Sequence, residues 1–227
     1  MALDYFRNLL EGLRSTDGNN IREILGESNI INYILGLVET TDSDLLEGMP
    51  EEEEIKDAVF SMKPNSAPGP DGFLGSFFIA TWVIINEYIR ASICDFFKGG
   101  VLPRAVSASR VVLIPKIHQP ESKNQFFLIF LCNYIYKILK NIINKRVSRI
   151  IPKLVLEEQH GFIHGKSIQG AVGIAKGMVE DINKKMVGSN VIIQVDIDKV
   201  YDSIEWGFIM KVMRKFGFSE GSCDLLF

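Results

Sequence analysis

The stretch NYIYKILKNIINKRVSRIIP, residues 133 to 152, constrains the fold more than any other part of this chain. Ile135, Ile138, Leu139, Ile142, Ile143, Val147 and Ile150 recur at helical spacing and form one apolar stripe, while Lys137, Lys140, Asn144 and Arg149 lie off it. Pro152 is expected to end the helix. An amphipathic helix of this length is stable only where other elements cover its stripe. The remaining sequence must therefore supply a packed partner for it.

Several segments qualify. MPEEEEIKDAVFSMKP reads as a helix with marked ends: Pro50 near the first turn, glutamates at the positive end of the dipole and Pro64 as the stop. The glutamate run is helix punctuation rather than a metal site. FFIATWVIINEYIRASICDFFKGG reads as one helix closed by Gly99 and Gly100. Between these two, NSAPGPDGF, with two prolines and two glycines, requires an irregular loop. RVVLIPK and FFLIFL read as two strands of an antiparallel hairpin. Ser167 caps a helix expected to run to about Lys185, the apolar Val191–Val195 is a strand, and Asp202 with Glu205 has capping-box spacing for a last helix ending near Gly217. Helices mixed with a few hairpins give an α+β class, helix-rich with short antiparallel strands.

Length and composition narrow the setting. The 227 residues suit one large domain, or one domain with an appendage. Cys94, Cys132 and Cys223 form no CxxC pair, which argues against a zinc site or a disulfide framework and fits a reducing compartment. The opening MALDYFRNLL has no signal-peptide pattern, and the longest apolar run, Phe126–Tyr136, is too short to cross a bilayer. The expectation is an intracellular protein, nuclear or cytoplasmic, with no membrane partner.

The net charge of −3 conceals a segregation. Residues 1–60 carry four Lys/Arg against fourteen Asp/Glu, whereas Lys98–Lys153 carries eleven Lys/Arg against Glu121 alone. A basic middle of this density attracts polyanions, although a solvated basic face with no ligand reads equally well from charge alone. Residues 1–50 are accordingly expected to form an acidic helical N-terminal region and residues 51–227 the main domain.

In VIIQVDIDKVYDSIEW an apolar strand runs into Asp196, Asp198 and Asp202. Asp196 and Asp198 are two apart and project to one side of an extended chain, held by the strand behind them. Mg²⁺ takes one or two carboxylates and completes its shell with substrate phosphates. The plainer reading is a strand entering a helix N-terminus, with Asp198 and Asp202 as caps. A haloacid-dehalogenase-like phosphatase also sets Asp-x-Asp after a strand, but its later motifs need more chain than the 29 residues beyond Asp198.

VDIDKVYDSIEW resembles the first palm carboxylate motif of reverse transcriptases from plant LINE-type, non-LTR retrotransposons. AVFSMKPNSAPGPDGF is similar to that family's opening segment, GGVLPRAVSASRVVLIPK to its fingers strand, and the stretch from FFLIFL through QHGFIHGKSIQGAV to the fingers–palm segment that follows. The resemblance runs from about Glu52 to Phe218. It implies a partial right-hand polymerase, fingers plus the first part of the palm, that copies an RNA template from a DNA primer with dNTPs and Mg²⁺.

Carried over by position, Asp196 matches the catalytic, metal-binding aspartate, and the Ile197 carbonyl a further ligand. Tyr201 matches the ring that screens the nucleotide sugar. Asp198, Lys199, Lys116 and Lys166 match nucleotide-binding positions, and Gln159 and Gly161 positions near the template. Lys137 and Lys140, in the basic segment, are further candidate nucleic-acid contacts. His160 and His164 are expected to be loop residues.

The departures are specific. Where the family reads Phe-Arg-Pro-Ile-Ser-Leu, this chain reads Phe126-Phe127-Leu128-Ile129-Phe130-Leu131, and phenylalanine cannot fork hydrogen bonds to a phosphate. Val200 replaces the alanine before the tyrosine, and Gly165-Lys166 stands for Gly-Arg. After Asp202 the acids are Glu205, Glu220 and Asp224, with no Asp-Asp pair to supply the second half of a two-metal site. The expectation is a truncated, partly degenerate copy, inactive alone, with a non-catalytic nucleic-acid-binding remnant as the alternative.

Overall fold

The computed structural model describes residues 29–122, 125–182, 193 and 204–227. Among them the order is a 3-10 turn Asn29–Tyr33, α1 Thr40–Glu47, α2 Glu52–Phe60, α3 Gly75–Ala80, α4 Trp82–Phe97, α5 Arg104–Ser107, β1 Ser109–Pro115, β2 Phe126–Cys132, α6 Tyr134–Leu154, α7 Ile168–Ile182, α8 Trp206–Phe216 and α9 Glu220–Leu226. The described residues are helical with one two-stranded antiparallel sheet. Two compact units emerge: Ser43–Val147 with Asp224–Phe227, and the described residues up to Asp42 with Ser148–Cys223. Among the described residues, no helix is long and apolar enough to cross a membrane.

In the first unit the stripe of α6 finds its cover. Tyr134, Ile138, Leu139 and Ile142 pack with Ile55, Ala58 and Val59 of α2, Phe78 of α3, and Ile89 and Ile93 of α4. Each such large aliphatic or aromatic side chain stabilises the fold by about 1.5–3 kcal/mol as an upper bound. Tyr134 is the hub: its ring stacks on Phe78 at 4.7 Å between centroids and its hydroxyl donates to the Val59 carbonyl at 2.9 Å. Burial pushes the Tyr134 phenol above its usual range.

Arg146 closes this unit on its other side. Its guanidinium donates to both Glu54 carboxylate oxygens at 2.8 and 2.6 Å and to the Leu46 and Gly48 carbonyls at 2.9 and 2.6 Å. The same cation lies 5.0 Å from the centre of the Phe97 ring.

The proline- and glycine-rich loop is irregular, as expected, and Asn133 fastens it. The buried carboxamide accepts the Asp71 N–H at 3.1 Å and donates to the Ala105 carbonyl at 2.6 Å. Gly69 lies so close that an added Cβ would fall on the Asn133 carboxamide and the Cys132 backbone. The Asp71 carboxylate in turn accepts the Phe73 N–H at 3.1 Å.

Three sequence expectations are corrected. The segment Gly75–Phe97 is two helices, broken at Thr81, whose φ/ψ of −97° and 6° leaves the helical region and whose hydroxyl donates to the Phe77 carbonyl at 2.7 Å. Helix α6 passes through Pro152 and ends at Leu154, so the missing N–H and the ring's crowding of the Ser148 carbonyl fall in the last turn, with only two residues left to disturb. Helix α8 opens at Trp206 with extended Glu205 as its N-cap, so Glu205 stands before the first turn and not at the third helical position a capping box needs. Asp202 itself lies outside the described residues.

In the second unit, Ser167 caps α7 as expected: its hydroxyl accepts the Gly170 N–H at 3.3 Å. Gly217 ends α8 at φ 101°, and the Phe216 carbonyl accepts the Leu37 and Val38 N–H groups at 2.8 and 2.9 Å. Lys153 donates to both oxygens of buried Asp42 at 2.7 and 2.9 Å.

Candidate nucleic-acid interface

The hairpin supplies an accessible basic surface of the first unit. Ser109–Pro115 pairs with Phe126–Cys132 in register, Val112 opposite Ile129 and Ile114 opposite Phe127. Side chains alternate along a strand, so Arg110, Val112, Ile114 and Lys116 project to one face, joined there by Ile129 and Phe127. Arg110 and Lys116 are exposed at the two ends of that face, with Ile114, Ile129 and Phe127 exposed between them. The Lys116 ammonium lies 4.6 Å from the centre of the Phe127 ring, the residue that stands where the family has arginine. A flat apolar strip between two cations is suited to a base stacked over the strip with flanking phosphates on the cations. Sequence reasoning named Lys116 and missed Arg110; the period-two spacing of Arg110, Val112, Ile114 and Lys116 was the available signal.

The rest of the basic segment is less open than its charge count implies. Arg146 is buried in the Glu54 pair, and Lys153 is paired with Asp42. Lys137 donates to the Ala67 carbonyl at 2.7 Å, which ties α6 to the loop. Lys145 donates to the Ser61 hydroxyl at 3.2 Å and the Asp57 carbonyl at 3.4 Å at the C-terminal end of α2. Lys140 remains exposed, 5.5 Å from the centre of the Tyr136 ring. Arg104 and Arg149 are also exposed.

In the second unit the loop between α6 and α7 holds Gln159, Gly161 and Lys166. Gln159 donates to the Gly161 carbonyl at 3.2 Å, bringing these two together. Lys166 donates to the Leu156 and Glu157 carbonyls at 3.1 and 2.9 Å, closing the loop on itself. The His160 Nδ1 lies 2.7 Å from the Glu158 carbonyl, so that nitrogen donates. Phe162, at φ 61°, is almost fully exposed at the loop tip.

Asp196, Ile197, Asp198, Lys199 and Tyr201 lie outside the described residues. Among the described residues no group of three or more His, Cys, Asp or Glu side chains could hold a metal ion.

Residues 114–225 match the model of the family described as reverse transcriptase (RNA-dependent DNA polymerase), a span that takes in the end of β1, all of β2 and the helices that follow. Over 166 residues the chain is 21% identical to the transposon TX1 uncharacterized 149 kDa protein of Xenopus laevis, covering 73% of this chain and 13% of that relative. The chain thus spans about an eighth of that relative's length. Together these support a reverse-transcriptase-like domain with a distant likeness to a transposon protein.

Proposed function

We propose that the chain is the fingers and first palm portion of an RNA-directed DNA polymerase from a non-LTR retrotransposon of the plant LINE type. One observation carries the reading beyond the family match: the hairpin, of which β2 and the end of β1 lie in the matched region, presents Arg110 and Lys116 on one exposed face with an apolar strip between them. In this reading that face, with Lys140, meets the template–primer, and Gln159 and Gly161 lie near the template. Asp196 and the Ile197 carbonyl hold one Mg²⁺, Tyr201 screens the sugar, and Asp198, Lys199 and Lys166 border the triphosphate. Attack of a primer 3′-hydroxyl on a dNTP needs a second carboxylate set, and no Asp-Asp pair occurs in these 227 residues. The chain alone therefore binds nucleic acid without extending a primer.

Primer extension on an RNA template, with anisotropy binding run in parallel, tests both halves. The expected result is no extension, and binding whose logarithmic salt slope weakens by roughly 0.7 when Arg110 or Lys116 becomes alanine. Mg²⁺-dependent extension abolished by Asp196→Asn would overturn the inactivity. Salt-independent binding would overturn the interface. Binding that persists with Asp196→Asn, without extension, favours the remnant reading, which the seating of Lys116 on Phe127 supports.

A further inference from the structure

A cavity of about 330 Å³ opens within the first unit, between the proline- and glycine-rich loop, α3, α4, α5 and the start of α6. That volume lies at the lower end of the roughly 300–1,000 Å³ of small-molecule sites. Ile85, Tyr88, Ile89 and Ser92 recur at helical spacing and turn one face of α4 to it. Phe73 of the loop and Phe77 and Phe78 of α3 form a corner. The Phe78 ring stands at 83° and 89° to the other two, with centroids 6.4 and 5.4 Å away. Phe78 is buried, whereas Phe73, Phe77 and Tyr88 are exposed. Exposed rings on a concave apolar wall are the makings of a binding site.

The polar groups of the wall decide what it takes. Among the described lining residues Asp71 alone carries a charge, and there is no lysine, arginine or histidine. The Asn133 carboxamide is engaged with the Asp71 N–H and the Ala105 carbonyl, and the Ser92 hydroxyl donates to the Tyr88 carbonyl at 2.9 Å. One Asp71 oxygen accepts the Phe73 N–H, and among the described residues no cation pairs with this carboxylate. An anion entering the cavity would meet a carboxylate and the negative faces of rings, whereas a cation is attracted by both. We propose that the cavity binds a small arylalkyl ammonium ion, with its ring in the corner of Phe73, Phe77 and Phe78 and its ammonium at the Asp71 carboxylate. The site is separate from the hairpin face, whose ligand is a polyanion: none of the described lining residues belongs to β1 or β2.

NMR titration of the full chain tests this with probes that share one phenethyl body: phenethylammonium, phenethyl alcohol and hydrocinnamate. Phenethylammonium should shift the Phe73, Ser92 and Val106 amides saturably, with Kd on the order of 1 mM for so small a ligand. The alcohol should move the same amides with roughly 5-fold weaker affinity, and hydrocinnamate should not saturate. Asp71→Asn, whose carboxamide oxygen can still accept the Phe73 N–H, should bring the ammonium to the alcohol's affinity and leave the alcohol unchanged. Val106→Trp, which fills the cavity from α5, should remove both. The probe series on the native chain gives its answer whether or not either variant folds. No saturable shift at these amides, equal affinities for ammonium and alcohol, or saturable binding of hydrocinnamate there would overturn the proposal. So would an ammonium affinity that survives Asp71→Asn, or binding that survives Val106→Trp.

Discussion

Asn133 accepts the Asp71 N–H at 3.1 Å across 62 residues of sequence, and its other carboxamide end donates to Ala105 at 2.6 Å. One buried side chain thus ties the irregular loop to the start of α6 and to α5. Asn133→Ala leaves the Ala105 carbonyl and the Asp71 amide unsatisfied, at about 1–3 kcal/mol for each orphaned group. Urea unfolding should report the loss, and hydrogen exchange should show the Asp71 amide opening faster. A change within about 0.5 kcal/mol would mean that water replaces the carboxamide.

Arg146 is the second such tie. Removing it as Arg146→Met leaves Glu54 without its cation and two carbonyls without donors, an expected cost of about 3–5 kcal/mol. Arg146→Lys should recover only part, because an ammonium cannot form both arms of the bidentate pair. The midpoints of chemical denaturation should rank native, Lys, Met. Equal midpoints for the two variants would show that the fork geometry contributes nothing.

The Asp42–Lys153 pair makes stability depend on pH at both extremes. The Lys153 hydrogen bonds, helped by the Glu39 N–H at 3.0 Å, lower the Asp42 carboxyl. The contribution of a lowered carboxyl is present above its unfolded value of about 3.9 and is lost as pH falls through the folded value. Lys153 is raised, chiefly by its hydrogen bond to Asp42; that contribution is present below about 10.4 and is lost as pH rises through the folded value. The stability difference between native and Asp42→Asn should be flat between about pH 5 and pH 10 and shrink on either side. A difference that grows in acid would contradict the assignment.

Periodicity and turn chemistry made much of the first unit legible. The stripe of α6, the existence of α2, the hairpin and the Ser167 cap all rest on local pattern, and all four are in the structure, although α2 ends at Phe60 rather than at Pro64. The break at Thr81 depends on one hydroxyl and a locally non-helical backbone, which hydrophobic spacing does not register. The passage of α6 through Pro152 reflects how little a last-turn proline disrupts. The basic segment misled most: Arg146, Lys137 and Lys145 find their partners 70 or more residues away, and composition carries no sign of that. Of the candidate site, Lys116 and the hairpin were readable, and the carboxylates Asp196, Asp198 and Asp202 lie outside the described residues.

Phe127 tests the hairpin face directly. Phe127→Arg puts a guanidinium beside Lys116 and removes the ring under its ammonium. Single-stranded nucleic acid should bind more tightly at low salt, with the logarithmic salt slope steepened by roughly 0.7 for one added phosphate contact. An unchanged slope would place bound nucleic acid away from this face.

Because Glu54 meets Arg146 only across 92 residues, the order of synthesis matters. Translation at about 5–20 residues per second separates the two by roughly 5–20 s. For that interval the nascent α2 has made Ile55 and Val59 but lacks α6, whose Tyr134, Ile138, Leu139 and Ile142 complete the cluster around them. The early chain is therefore a client for whatever holds greasy segments near the ribosome. Arrested chains ending before Arg146 should be cut within α2 by protease, and chains extending well past it should resist.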